Sequence, residues 1–148
     1  QKRKFPTIIL RLYQVYGPNQ DGNRLIPFVI DNCKKNKKFP CSSGTQFRDF
    51  LYIDDFTKII TKLLKSGKKT NGQIFNVGFG NPINLKSVIK IIQDKIGSGK
   101  PEFGKLVLRK EENLKTYPNI NKIKKFLKWK PKINFNTGIK KTINSYLN

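Results

Sequence analysis

The side chains in this sequence that can do chemistry gather in a few short segments. Arg48 and Asp49 fall inside an apolar run, Phe47 to Ile53, and the Asp54–Asp55 pair follows directly. An Arg among Phe47, Phe50 and Leu51 needs an anionic partner, because an unpaired buried charge is costly. Two arrangements supply one: an internal salt bridge to Asp49 or Asp54, or a bidentate grip on a phosphate, which a planar guanidinium suits. The acidic pair offers general acid–base chemistry, yet Asp54 is placed to cap a helix, and adjacent side chains at a helix start do not face one substrate. Arg109 follows Leu106-Val107-Leu108, and from a strand end it can point into a cleft. Tyr13 and Tyr16 are candidate phenols, but neither has a neighbouring Lys to lower its pKa, so packing is the plainer role. Gly78-Phe79-Gly80 has the start of a dinucleotide-binding turn. The third glycine is missing, its place taken by Ile83, and Pro82 removes a backbone donor, so it reads as an ordinary strand-to-helix turn.

Composition closes other routes. The chain has 148 residues with no His and two Cys, which leaves too few ligands for a structural zinc site and no base for a Ser-His-Asp or Cys-His centre. No apolar run approaches the ~20 residues that span a bilayer, and the basic start Gln1-Lys2-Arg3-Lys4 leads into a strand-like segment without an apolar signal region. Cys33 and Cys41 form no disulfide framework, so a reducing cytoplasm is the expected compartment. The net charge of +22 invites a nucleic-acid role, since lysines release counterions from phosphate backbones. The lysines are scattered, however, at helix ends and on polar faces. The joint richness in Lys, Asn and Ile is what an AT-rich coding sequence produces. A small basic nucleic-acid-binding domain stays as the alternative.

The elements that must position these residues alternate. Thr7 to Leu12 reads as a strand ending in the Tyr16-Gly17-Pro18-Asn19 turn. Ile26, Val29, Ile30 and Cys33 have helical spacing. Phe39-Pro40-Cys41 reads as a short extended piece and Ser42 to Thr45 as a turn. Phe47 to Ile53 is a strand, followed by a helix carrying Phe56, Ile59, Ile60, Leu63 and Leu64. Gln73 to Val77 is a strand, and Asn84 caps a helix that ends at Gly97. Leu106-Val107-Leu108 reads as a further strand. A short helical face at Ile120 to Leu127 stops at Trp129-Lys130-Pro131, and Ile139 to Leu147 suggests a last helix. Strand–helix alternation predicts an α/β fold. A first strand so near Gln1 gives the look of a piece cut from a longer chain.

Several of these segments together resemble the extended short-chain dehydrogenase/reductases that act on nucleotide sugars, the NAD-dependent epimerase/dehydratase family. Ile9-Leu10-Arg11-Leu12-Tyr13-Gln14-Val15-Tyr16-Gly17-Pro18 is similar to the family's LR-x-x-N-x-YGP segment. Arg24-Leu25-Ile26-Pro27 resembles its helix start, and Gly44-Thr45-Gln46-Phe47-Arg48-Asp49-Phe50-Leu51-Tyr52 its G-x-Q-x-RDF-x-Y segment. Phe75-Asn76-Val77-Gly78 and Leu127-Lys128-Trp129-Lys130-Pro131 with Gly138-Ile139 complete an ordered series over nearly the whole chain. Phe39 to Ser42 and the stretch from Gly99 to Pro118 lean toward reductases similar to CDP-abequose or paratose synthase. Asn119 stands where the family commonly has Asp, and Lys128 where it has Gly.

The resemblance implies that residues 1–148 are the C-terminal, substrate-binding part of such an enzyme: the last strands of a Rossmann-type doubly wound sheet plus a small α/β lobe. It also implies a dinucleotide-binding part, with its Gly-rich loop and Tyr-x-x-x-Lys pair, lying outside this sequence. No Tyr here has the required Lys: position +4 is Gly17 after Tyr13, Gln20 after Tyr16, Phe56 after Tyr52 and Asn121 after Tyr117. No catalytic residue is therefore assigned, and the chain alone should lack turnover. By position, Leu12, Tyr13 and Val15 would pass the nicotinamide of NAD or NADP. Gln14, in place of the family's Asn, would contact sugar or phosphate. Arg24 and Leu25 would touch the nucleotide, and Pro40, Cys41 and Ser42 would lie against the base. Arg48 and Arg109 would hold the diphosphate. The implied partners are a nucleotide-diphosphate sugar, the dinucleotide-binding part and, as often in the family, a second copy in a homodimer.

Overall fold

The computed structural model describes residues 6–147. The basic start Gln1 to Lys4 lies outside the described residues.

The stretch Ile9–Tyr16 is extended chain that changes partner halfway. Its first part, β1 (Ile9–Leu12), pairs in parallel with β6 (Ile74–Val77), Ile9 opposite Ile74 and Leu12 opposite Val77. Its second part, β2 (Gln14–Tyr16), pairs in parallel with β5 (Phe50–Tyr52). The handover occurs at Tyr13, whose N–H reaches the Val77 carbonyl at 3.1 Å, while the next N–H, of Gln14, reaches the Asp49 carbonyl at 3.1 Å. The sequence predicts the strand only from Thr7 to Leu12, and Gln14–Tyr16 extends it. It is strand because β5 offers it a free edge.

β5 is buried at every position. Phe50 and Tyr52 pack into one apolar cluster and Leu51 into another, as the two-residue side-chain period of a strand requires. A strand covered on both faces is the habit of parallel sheets. The first cluster takes its helical part from α1 (Leu25–Lys34), α3 (Leu85–Ile96) and α5 (Phe135–Leu147). The second is built on α2 (Ile53–Lys65), β6 and α4 (Asn121–Leu127). Tyr16 sits in the first, edge-on to Phe50 and Tyr52 and beside Phe135. Its hydroxyl donates to the Phe135 carbonyl at 3.4 Å, and burial pushes its pKa up. It is a packing residue, as its lack of a Lys neighbour suggested.

A smaller set of strands lies beside this frame. β3 (Lys38–Cys41) pairs in parallel with β8 (Lys100–Phe103). β4 (Phe47–Arg48) lies between β7 (Ile83–Asn84), antiparallel, and β9 (Lys115–Thr116), parallel. The architecture is α/β, as the alternation predicted. Asn84 caps α3, its Oδ1 accepting from the N–H groups of Lys86 and Ser87, and Gly97 ends that helix at φ 80°.

Three local expectations are corrected. Leu106-Val107-Leu108 is not a strand: the Leu106 N–H reaches the Cys41 carbonyl, no ladder follows, and Val107 is 96% exposed. β-Branched composition describes a side chain's fit to a sheet, not the presence of a partner. Asp54 does not cap α2. β5 runs straight into the helix, Tyr52 takes the cap position, and Asp54 and Asp55 fall in the first turn, toward the positive end of the helix dipole. The Arg48 partner is neither Asp49 nor Asp54, as set out below.

Asp49, fully buried in the break between β4 and β5, instead accepts three backbone N–H bonds, from Phe79 at 2.5 Å, Gly80 at 2.6 Å and Asn81 at 3.0 Å. Asp55, also fully buried, accepts from the N–H groups of Lys132 and Ile133, both at 2.7 Å, and fixes the approach to α5 against α2. A carboxylate surrounded by donors is worth more than a neutral pair, and amide nitrogens placed there would face donors with donors. Asp49→Asn should therefore destabilise the chain by about 3 kcal/mol in urea unfolding.

Lys128 ends α4 at φ 45°, in the left-handed region. Here the Gly-to-Lys departure has a structural cost, since a Cβ is disfavoured in that conformation. Lys128→Gly should raise stability by about 1 kcal/mol in the same assay. Asn119, the other departure, keeps its function as an acceptor, taking the N–H of Asn121 at 2.9 Å.

Candidate functional site

The predicted site residues distribute over three neighbouring cavities. The largest, about 590 Å³, is lined by Arg48, Arg109, Lys110, Glu111, Glu112, Asn113 and Thr116, so the two arginines border one cavity. Gln14, Val15, Arg24 and Leu25 line a second, of about 150 Å³, with Tyr16 and Phe50. Leu25, Pro40, Cys41 and Ser42 line a third, a mainly apolar slot of about 330 Å³ completed by Phe28, Val29, Leu85, Ile89 and Leu106. Leu25 belongs to both the second and third. Leu12 and Tyr13 line none of these three. Leu12 is 48% exposed at the end of β1, and Tyr13 is half-buried at the handover.

Each placement follows from the strands. Arg24 precedes α1 with an extended backbone and its side chain exposed, and Leu25 opens the helix. In β3 the alternation buries Phe39 and Cys41 and exposes Pro40. The segment after β8 connects the slot to the arginines. Leu106 donates to the Cys41 carbonyl at its start, and Leu114 accepts from the Phe47 N–H at 2.7 Å at its end. Between these ties, Arg109 and Glu112 open and close one turn, the Glu112 N–H donating to the Arg109 carbonyl at 3.0 Å.

Arg48 is held rather than free. One terminal nitrogen donates to its neighbour's carbonyl, Phe47, at 2.9 Å, and the other pairs with the Glu112 carboxylate. The Arg48 side chain is 13% exposed and that of Glu112 27%, so the pair lines the cavity without being sealed under it. The Arg109 side chain is exposed and makes no hydrogen bond or ion pair among the described residues. Sequence reasoning missed Glu112 and Thr116. The signal for Glu112 was scarcity: Glu111-Glu112 is two of only nine acids in the chain and stands three residues from Arg109.

The Gly78-Phe79-Gly80 turn is closed to phosphate. Three successive N–H groups converge there as an anion nest, and the Asp49 carboxylate already fills it. Gly78 is required for this contact, because a Cβ would overlap the Asp49 carboxyl and lie 2.5 Å from Pro118 Cγ. The turn therefore does not fit the pyrophosphate of a dinucleotide, and no cofactor phosphate is assigned to it. Among the described residues no cluster of His, Cys, Asp or Glu could hold a metal ion, and no helix is long and apolar enough to cross a membrane.

Paired parallel strands, helices on both sides of β5 and a basic cleft beside an apolar slot define an α/β protein of the Rossmann-like kind. The sequence model of the NAD dependent epimerase/dehydratase family matches residues 1–78, more than half of the chain, and the chain belongs to that family. It is 34% identical to CDP-abequose synthase of Salmonella muenchen over 92% of this chain and 46% of that enzyme. It is 33% identical to dTDP-glucose 4,6-dehydratase of Escherichia coli over 97% of this chain and 42% of that one. Its fold superposes on the crystal structure of dTDP-glucose 4,6-dehydratase from Bacillus anthracis in complex with NAD, with a TM-score of 0.83 at 28% identity, covering 95% of this chain and 44% of that one. The chain thus spans less than half the length of the curated relatives it matches. The family uses NAD(P), and the relatives this chain is similar to include the CDP-abequose synthases toward which the sequence leaned.

Cys41 lies in the slot and Cys33 behind it on α1, both buried. Burial pushes the Cys33 thiol up to about 11 and raises that of Cys41. A raised thiol pKa keeps the neutral form as pH rises through 8 and 9, and the thiolate is the species that reacts. At pH 8 a thiol with a pKa of 11 has about one-hundredth the thiolate of one at 9. Alkylation of Cys33 at pH 8 should run at least about 50-fold slower in the native chain than in urea, read by mass spectrometry.

Proposed function

We propose that this chain is the nucleotide-sugar-binding part of an NAD(P)-dependent epimerase, dehydratase or 4-keto reductase. Residues 1–148 form the substrate part, and a dinucleotide-binding part supplies the cofactor's phosphate cradle and the acid–base pair. The observation that carries this reading is the sharing of one cavity by Arg48 and Arg109, joined through the Leu106–Leu114 segment to the apolar slot at Cys41. A flat apolar base, a ribose and a diphosphate need such a sequence of surfaces: an apolar slot, then planar cations.

In this reading Leu25, Pro40, Cys41 and Ser42 hold the base. Arg24 faces the nucleotide, and Gln14 offers an amide to the sugar or a phosphate. Arg48 and Arg109 hold the diphosphate, their fixed charge neutralising it, and the burial around Arg48 lowers the effective dielectric in which its charge acts. Leu12, Tyr13 and Val15 form the edge that passes the nicotinamide. NAD(P), when bound, exchanges a hydride with the sugar. This chain's residues orient the sugar toward that exchange, and no acid–base role is given to them. The net charge of +22 adds a field that draws any nucleotide diphosphate toward the cleft.

The test is a calorimetric titration of the full chain with CDP-, UDP- and dTDP-glucose at 150 mM salt, with the matching monophosphates as controls. Nucleotide sugars should bind at least about 10-fold tighter than monophosphates. Arg48→Lys and Arg109→Ala should each weaken them by about 10-fold, the value of a charge-assisted hydrogen-bond pair. Equal affinity for monophosphate and diphosphate, untouched by either substitution, would leave only charge-driven association and reject the reading.

A further inference from the structure

We infer that Glu112 is a displaceable counter-anion: its carboxylate occupies the phosphate-gripping edge of Arg48 in the free protein, and a diphosphate binds by taking its place. The inference rests on the reading of Arg48 as part of a diphosphate grip. It adds a specificity-determining residue that acts before any sugar is oriented.

The geometry carries the inference in three steps. First, the pair stands inside the cavity that the ligand would enter, because Arg48, Glu112 and Arg109 all line it. Arg48 has one nitrogen committed to the Phe47 carbonyl and the other to Glu112, so an incoming phosphate meets an edge already in use. Second, the pair is half-desolvated, with the arginine the more buried partner. An uncompensated Arg48 at that depth is costly, so Glu112 leaves only when another anion replaces it. A nucleoside diphosphate, with more charge and more acceptors than a carboxylate, replaces it; a weak monoanion does not. Third, Glu112 is well placed to leave. It lies on a surface turn with exposed Lys110, Glu111 and Asn113, and its N–H is bonded to the Arg109 carbonyl. Arg109 and Glu112 therefore move as one turn. Release of the carboxylate and re-aiming of the free guanidinium are the same motion.

Other internal anions are distinguished by what holds them. Asp49 and Asp55 each accept two or more backbone N–H bonds at zero exposure, contacts that a ligand cannot substitute. Glu112 has a single side-chain partner, Arg48, and that partner faces a cavity. Glu111 supplies the control: it lines the same cavity and has the same charge but makes no pair with Arg48.

The experiment is calorimetry with UDP, CDP and inorganic pyrophosphate on the full chain and on Glu112→Gln, Glu112→Ala, Glu111→Gln and Arg48→Lys, each first shown to unfold cooperatively. Removing the resident anion should tighten UDP, CDP and pyrophosphate binding by about 10-fold in both Glu112 variants, with less than about a 2-fold change in Glu111→Gln. A gain in Glu111→Gln equal to that in Glu112→Gln would show a general field and overturn the inference. So would unchanged or weaker binding in both Glu112 variants while Arg48→Lys still loses affinity, a result that leaves the diphosphate grip standing. Absence of binding to every variant, including those lacking the Glu112 carboxylate, would reject the grip itself and the inference with it.

Discussion

One carboxylate organises this chain. Asp49 interrupts an extended run that would otherwise pass unbroken from β4 to β5, and it ties both ends of the break. Its backbone carbonyl receives Gln14, which starts the β2–β5 pairing, and its side chain receives three N–H groups from the turn after β6. The β1–β6 pair, the β2–β5 pair and the β4 triplet therefore meet at one residue. Burial raises the Asp49 pKa, and the three N–H bonds offset only part of that rise. That opposition is the cost of using a charge as a joint. It is tolerable only because the donors are backbone groups that also need partners in a dry interior.

The same joint explains why the chain's one dinucleotide-like glycine turn is not a dinucleotide site. A nest of N–H groups binds whatever anion reaches it, and here the anion is internal and covalently attached, at very high effective concentration. Filling the nest has a second effect. It commits both carboxylate oxygens of Asp49, the residue just after Arg48, to backbone N–H groups rather than to the guanidinium. The guanidinium must find a partner on the cavity side, and the acid within range is Glu112. The turn of Arg48 toward the cavity thus goes with where Asp49 is spent.

Much of this was legible in the sequence. The 3.6-residue spacing marked α1, α2 and α3, and the cap and stop of α3 were stated in side chains, Asn84 and Gly97, whose chemistry is local. The α/β class followed from alternation. The sequence did not show partners for charged or extended segments, because partnership is a property of the fold. Arg48 plainly needed an anion, but nearness in sequence favoured Asp49 or Asp54 over an acid 64 positions away. Leu106-Val107-Leu108 has strand composition and no strand beside it, while Lys100–Phe103, half of it Pro and Lys, is a strand because β3 runs past. The family resemblance named the segments, and the fold brings most of them to the walls of three cavities. Their assembly into a slot and a basic cavity depended on one connection, Leu106 to Leu114, whose course no local rule dictates.

The distribution of acids then bears on function. In a chain with nine acids against thirty-one bases, most cations have no ion-pair partner, and solvent must screen them. Under that imbalance each acid that is buried or paired has been committed by geometry rather than by abundance. Asp49 and Asp55 hold backbone, Asp31 and Asp54 pair with exposed lysines, and Glu112 holds an arginine at the mouth of a cavity. Only the last places a rare carboxylate against a cation that a ligand could also use. Exposed pairs such as Asp31–Lys35 contribute little at physiological salt, and joints such as Asp49 cannot exchange. A partly desolvated pair facing a cavity lies between these limits: less screened than an exposed pair, yet reachable from the cavity as the joints are not. Electrostatic complementarity in this cleft is therefore set by which anion Arg48 faces, more than by the total charge around it.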